Sequence, residues 1–497
     1  MNESMMSGTW LLMTPEFIVL GAAVLISLLD LFLPKKVNRL LLGWLSVLSV
    51  LAGGIVLLLF SGVDSASILY GTFQLDAFAK AFKLILMIGV LLILLMSIHK
   101  GEENGRSNVR GEYFYLLLTA LLGAMMLSSS GDLITLFVGL ELLAVSSYIL
   151  AGIKKDDIRS NEAALKYVVN GGISTAITLF GMSYLYGVTG TTNLAKMGEA
   201  LSGVFDSGLQ LLLGISFLLI LVGLAFKTAT VPFHMWVADV YEGAPAAVTA
   251  FLSAVSKTAG FILLLRLLAG IFAAAPSKGL TSVSMLVDMR MYIAALAAAA
   301  MIIGTLGALR QRNIKRMLAY SSIVHGGYLL GAVASLSIFM MDTIWFYLLT
   351  YTIMTIGTFV IIQWVIMQTK TNDISGFAGL YQRSPWTAGA LGILLLSLAG
   401  IPGTAGFIAK LKIIMSLLVQ DNSLWWLAII MIVATVVSYV YYFGIFIQVF
   451  FRREEQILKD RLSFGGKLAL CIAVGATVLF GILPNIPLDY FQHYFGS

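Results

Sequence analysis

The sequence predicts an all-α integral membrane protein of about fourteen transmembrane helices, and three observations carry that reading. The 497 residues are 59% hydrophobic and only 11% charged, against roughly 25% charged in soluble domains, and the mean hydropathy is +0.95. Apolar runs of about 20 residues, the length that crosses a hydrocarbon core of about 30 Å, recur from end to end. The basic residues gather in alternate loops between those runs. A soluble chain of this size could not cover so much apolar area with wettable surface.

The runs place spans near 15–33, 40–61, 75–98, 112–129, 132–152, 162–186, 209–229, 246–271, 290–309, 317–336, 341–367, 386–419, 423–450 and 465–484. Loops after odd-numbered spans hold nineteen Lys and Arg, among them Lys35, Lys36 and Arg39 after span 1, and Arg310, Arg312, Lys315 and Arg316 after span 9. The opposite side, termini included, offers Lys196 and Lys278. This positive-inside asymmetry puts both termini on the extracytoplasmic side and requires an even number of spans. The N-terminus has no basic n-region, so the first run reads as an uncleaved helix of a multi-pass protein. The chain is then a single membrane domain: N-terminal helices over 15–98, a first repeat over 112–271, a second over 290–450 and a last helix over 465–484.

Two spans are irregular. Residues 386–419 form one apolar stretch, about 51 Å long as a helix, with SLAGIPGTAGF in its middle; Pro402 is flanked by Gly400, Gly403 and Gly406. In 209–243 an apolar run ends at Lys227, Pro232 interrupts, and FHMWVADVY follows. Both predict helices broken inside the membrane. They lie five spans apart, which makes spans 4–8 and 9–13 candidate inverted repeats, each with a broken helix, a pattern that points to an ion path.

Composition also excludes chemistry. The one cysteine, Cys471, has no partner motif, so the chain supplies no thiolate cage for zinc or iron–sulfur. Neither a dinucleotide fingerprint after a strand nor a phosphate loop is present. The net charge of +6 reads as a topology signal rather than a nucleic-acid footprint.

Ionisable residues inside spans are costly and are functional candidates by default. Glu141 lies nine residues after Asp132, about 14 Å into its span. Lys227 precedes Pro232 by five residues, Lys257 lies eleven residues into span 8, and Lys410 lies eight residues after Pro402. His325 sits nine residues after Arg316, and Lys166 has Glu162 as its i−4 neighbour. For Glu141, Lys227, Lys257 and Lys410 the bland alternative is a static buried ion pair. Lys80 and Lys83 are expected to snorkel, as are Lys412 and Arg266 near their span ends. Asp30 is expected to pair near the first basic loop. His325 can equally be a packed histidine, and His234, just after Pro232, a cap on broken backbone. The functional alternative is a proton relay. Low dielectric penalises an ammonium and a nearby carboxylate stabilises it, so parting a Lys/Glu pair releases a proton and restoring it takes one up.

The stretch 227–261, KTATVPFHMWVADVYEGAPAAVTAFLSAVSKTAGF, with RNIKRMLAYSSIVHGGYLLG at 312–331 and GIPGTAGFIAKL at 400–411, closely resembles the antiporter-like subunits of respiratory complex I, and most of all the subunit N (mitochondrial subunit 2) type. The resemblance implies two inverted five-helix repeats, each with a broken helix. It implies a relay in which Glu141 and Lys227 form the first pair, Lys257 is the central lysine and Lys410 the terminal one, with Glu112 and Lys166 further along a polar axis. It implies proton pumping coupled to quinone reduction, with NADH, FMN, iron–sulfur clusters and quinone on other subunits, and neighbouring antiporter-like membrane subunits as partners. Three other readings stand beside it: a subunit of a multisubunit sodium/proton antiporter, the equivalent subunit of a hydrogenase or photosynthetic-type complex, and a stand-alone solute transporter.

Overall fold

The computed structural model describes residues 10–34, 38–98, 102–103, 106–107, 111–201, 209–273, 276–277, 280–419, 424–453 and 462–495. Of the loop cations behind the predicted topology, Lys35, Lys36, Lys100, Arg110, Lys278, Lys459 and Arg461 lie outside the described residues, as do both chain ends.

Each predicted span is present. Among the described residues thirteen helices are long and apolar enough to cross a membrane, beginning with Trp10–Phe32, Leu40–Leu59, Ala77–Ser97, Gly111–Ser129 and Leu133–Ala151. Span 6 is Ile158–Thr189 and span 7 begins as Gln210–Lys227. Spans 8 to 11 are Ala246–Phe272, Met285–Leu309, Ile314–Ser335 and Met340–Thr369. Spans 13 and 14 are Trp425–Phe451 and Phe464–Ile482. Span 12 is the fourteenth crossing, made of two short helices, Pro385–Ala399 and Ala405–Leu418.

Local chemistry sets the starts. Asp76, Asp132, Asp157 and Ser463 accept backbone N–H bonds at the N-termini of spans 3, 5, 6 and 14, as capping residues do. Span 10 begins earlier than hydropathy suggested, because Asn313 accepts from the amides of both Lys315 and Arg316; these two cations belong to its first turn. Span 6 begins early for the same reason, at the Asp157 cap.

Hydropathy missed what is short or amphipathic: a helix at Leu194–Leu201, another at Asn485–Phe495, and a small hairpin pairing Ala66–Ile68 with Phe73–Leu75. These lie in or after loops on the side of the bundle opposite the basic loops.

Burial is graded across the bundle. The most apolar stretches of spans 8 and 11 are wholly buried, whereas in spans 1, 6, 13 and 14 only 28–33% of that stretch is. Span 11 packs on spans 3, 12 and 14, and span 10 on spans 9 and 12 and the second half of span 7.

Both irregular spans break. In span 7 the helix stops at Lys227, passes through Thr228–His234 with Ala229 at φ +61, and resumes over Met235–Gly243. In span 12 Gly400 takes φ +86, and its amide and that of Ile401 both donate to the Leu396 carbonyl at 3.0 Å. This is the left-handed stop that glycine permits. The chain restarts at Ala405, and the Gly406 amide donates to the Ser397 hydroxyl at 3.1 Å.

Candidate functional site: a buried polar row

The first half of span 7 delivers Lys227 as its last helical residue, 8% exposed. Glu141, from the middle of span 5, is close enough to act on it electrostatically, yet the two form no ion pair within 4.0 Å. One Glu141 oxygen is buried without a hydrogen-bond partner. The pair is set apart rather than locked in contact.

Lys257, 2% exposed, follows a π-helical turn over Leu252–Ser256. Such turns loosen the i→i−4 ladder and are frequent at functional sites. Its Nζ crosses to span 10 and donates to the Ser322 carbonyl. A Cβ at Gly326 would stand 3.3 Å from the Thr228 carbonyl and 3.7 Å from Lys257 Nζ. The break in span 7, the central lysine and span 10 therefore meet at one glycine.

His325, next to that glycine and 2% exposed, bridges Nδ1 to the Tyr347 hydroxyl at 2.6 Å and Nε2 to the Tyr442 hydroxyl at 3.3 Å. Tyr442 in turn bonds the Ser321 hydroxyl at 2.5 Å. His325 is thus held by hydroxyls of spans 11 and 13, one residue from the glycine that the Lys257 ammonium approaches.

Lys410, 4% exposed, reaches back across the break of its own span. Its Nζ donates to the carbonyls of Leu398 at 3.0 Å and Ala399 at 2.7 Å, and lies 5.3 Å from the Tyr328 ring centre. Those carbonyls end a half-helix, where the peptide dipoles present negative charge. A small cavity of about 10 Å³, about the space of one water, is lined by Ser253, Leu318, Ser321, Tyr351, Thr355, Thr358 and Leu398. Ser253 and Tyr351 bond across it at 3.0 Å, and the Thr355 hydroxyl has no partner.

The other candidates sit at the rim. Lys166 bonds Glu162 and Asp239, both at 2.7 Å, with its side chain 40% exposed. Asp239 also takes Arg316 at 2.7 Å, and Arg316 takes Glu242 at 2.9 Å. This network ties span 6, the second half of span 7 and the start of span 10 together where the basic loops lie. Glu112 is further out, 3.5 Å from Lys155. His234 precedes the second half-helix of span 7, with Nδ1 buried and unpartnered.

Among the residues expected to snorkel, Lys80, only 3% exposed, reaches just far enough to meet the Val63 carbonyl in the loop after span 2. Lys83 does not: it is fully enclosed and pairs with Glu16 of span 1. Hydropathy could not reveal this, since Glu16 stands at the edge of its run. Arg266 and Lys412 pair with Asp76 at 2.6 Å and Asp342 at 3.1 Å, and Asp30 pairs with Arg39 at 2.7 Å. The tyrosine and serine hydroxyls around His325 escaped a reading based on charge; the signal available was polar hydroxyls recurring in otherwise apolar spans 10, 11 and 13. Among the described residues no His/Cys/Asp/Glu group could hold a metal ion.

Two broken spans bracketing an enclosed row of lysines, a glutamate and a histidine define an antiporter-like polytopic membrane protein. Residues 130–438 match the model described as NADH:quinone oxidoreductase/Mrp antiporter, transmembrane, and the chain belongs to that family. It is 54% identical over 495 residues to the NADH-quinone oxidoreductase subunit N of Anoxybacillus flavithermus, covering 99% of this chain and 98% of that one. Among solved structures, a chain of respiratory complex I from Thermus thermophilus with bound aureothin superposes with TM-score 0.78 at 30% identity, covering 96% of this chain and 98% of that one. A chain of the archaeal membrane-bound sulfane sulfur reductase superposes with TM-score 0.85 at 25% identity, covering 98% and 97%.

Proposed function

We propose that this chain is the antiporter-like membrane subunit N of a proton-translocating NADH-quinone oxidoreductase and that it carries protons along the row Glu141, Lys227, Lys257, His325 and Lys410. The single observation that carries the relay is the enclosure of three lysines, each 2–8% exposed, with no carboxylate among the described residues within ion-pair distance of Lys257 or Lys410, whose Nζ atoms instead rest on backbone carbonyls. A static salt bridge needs its counter-ion in contact; a proton carrier needs a site where both protonation states are within reach.

Full-length likeness to subunit N relatives supports this parent complex over an antiporter or sulfur-reducing one, which share the fold. The protein is a multi-pass protein of the bacterial plasma membrane, with neighbouring membrane subunits of the complex as partners. Both termini lie on the extracytoplasmic side, following the loop charges. The redox groups, NADH, FMN, iron–sulfur clusters and quinone, belong to other subunits. The five-span offset sets Glu141 and Lys227 of spans 5 and 7 against His325 and Lys410 of spans 10 and 12, so each repeat holds one partner and one lysine at its break, and Lys257 joins them. Lys257 hands a proton toward His325 when its ammonium loses the Ser322 carbonyl, and Lys410 takes it up in the second repeat. Co-purification tests the parent complex: the tagged chain should bring down flavin and quinone-reducing subunits, and recovery with small antiporter subunits alone would contradict it.

A further inference from the structure

The first three spans lie outside the matched region 130–438, and the row described above uses none of their residues. They nevertheless hold the least exposed ion pair among the described residues: Lys83 of span 3 and Glu16 of span 1, with side chains 0% and 4% exposed. Beyond that ion contact, neither carboxylate oxygen of Glu16 nor Lys83 Nζ has a hydrogen-bond partner among the described residues; the Phe73 ring lies 4.9 Å from Nζ. Buried ions persist as ions when their remaining donors and acceptors are satisfied. Lys83 has three N–H donors and Glu16 about four lone-pair sites, and one contact serves both. An amine beside a carboxylic acid needs fewer partners, so the pair is built to share its proton.

The charges facing the pair are Asp76 and Arg266. Asp76, seven residues before Lys83, caps span 3 at the Ala79 amide and takes both Arg266 Nη atoms at 2.6 and 2.7 Å. Its side chain is 29% exposed. A ladder of charge thus climbs from an enclosed pair to the surface at the end of the bundle opposite the basic loops. Inward, Arg266 shares its helix with Lys257, nine residues or about 14 Å away, and Gly89 of span 3 lies against Val255 and Thr352, where a Cβ would meet their methyl carbons at 2.7 and 3.0 Å.

We propose that Glu16 and Lys83 form a further proton site, the outlet of this subunit toward the extracytoplasmic face. In the step, one Lys83 N–H bond breaks and one Glu16 O–H bond forms, leaving a neutral amine and acid. The acid proton departs by way of Asp76 to the outer solution, and the amine regains a proton from the membrane interior. The inference rests on the proton-carrying reading above, and its test separates the two.

The test uses the whole complex in sealed vesicles, read as the initial rate of NADH-driven proton uptake. The double variant Glu16→Gln with Lys83→Met removes both charges at nearly constant shape. A purely structural pair tolerates this exchange, whereas a proton site does not: the complex should assemble and take up protons several-fold more slowly. Unchanged pumping in the double variant overturns the outlet. If the double variant does not assemble, Glu16→Asp, which keeps the pair, decides: the carboxyl band of the turnover-induced infrared difference spectrum should shift, and an unshifted band overturns the proposal. Lys257→Ala is measured alongside. Lost pumping there with normal pumping in the double variant removes the outlet alone; normal pumping in Lys257→Ala removes the underlying proton-carrying reading.

Discussion

Lys410 is bonded to Ala399 across the break in its own span: its ammonium, on the second half-helix, donates at 2.7 Å to the last carbonyl of the first. The contact exists because Gly400 turns the chain left-handed between them. A Cβ at Gly400 would stand 2.8 Å from Lys410 Cδ and 3.0 Å from its Nζ.

Gly400→Ala should therefore displace the lysine as well as strain a backbone at φ +86, a strain of roughly 1–2 kcal/mol for an L-residue. Gly403→Ala, at φ +87 but with open space around its Cβ, should carry the strain alone. In vesicles, Gly400→Ala should depress proton pumping well below Gly403→Ala at equal assembly. Equal pumping in the two would show that Lys410 does not depend on its seat at the half-helix end.

The His325 bridge makes a second prediction. Tyr442→Phe removes one hydroxyl that bonds both His325 and Ser321 and leaves the packing volume almost unchanged. Losing two bonds at about 1 kcal/mol each is too little to unfold a bundle of this size. Assembly should be normal and proton transfer slowed, and His325→Ala should be more severe. A normal pumping rate in His325→Ala would make the imidazole a packing residue only.

Much of this was legible in the sequence, for a definite reason. A bilayer forces every crossing to be a run of apolar residues and makes each charge within one expensive, so spans and the positions of Glu141, Lys227, Lys257 and Lys410 stand out directly. What hydropathy cannot report is which helices touch. The Glu16 partner of Lys83, the Tyr347 and Tyr442 hydroxyls on His325, and the meeting of Thr228, Lys257 and Gly326 are all tertiary. The π-helical turn before Lys257 left no signature of its own in apolar periodicity, and the Asn313 cap drew Lys315 and Arg316 out of the loop to which their charge had assigned them.

Asp239 links Lys166 and Arg316 at the basic end. Its side chain is about a third exposed, and half-exposed pairs contribute about 0–1 kcal/mol each. Asp239→Asn should thus leave the complex assembled and slow proton entry, an effect that shrinks at high ionic strength because exposed charges are screened within about 10 Å at 0.1 M salt. The measurement is the initial pumping rate against salt. A deficit that is the same at every salt concentration would place the role of Asp239 in structure rather than in the field at the mouth.

Topology has its own check. A reporter active only in the cytoplasm, fused after the last residue, should be silent, since an even number of spans brings both ends to the side opposite the basic loops. Activity of that fusion would reverse the direction assigned to the row.

The central claim rests on Lys257, enclosed and seated on the Ser322 carbonyl, on a helix that packs against Lys227 at Gly260 and with its ammonium facing Gly326, the neighbour of His325. Lys257→Ala removes the proton site while keeping helix propensity high, and Lys257→Arg keeps the charge but cannot release it, since a guanidinium stays protonated. The decisive measurement is NADH-driven proton uptake together with quinone reduction in vesicles holding each variant at normal assembly. Both variants should lose most proton transport, and quinone reduction should fall with it because the two are coupled. Normal rates of both reactions in Lys257→Ala and Lys257→Arg would contradict the relay.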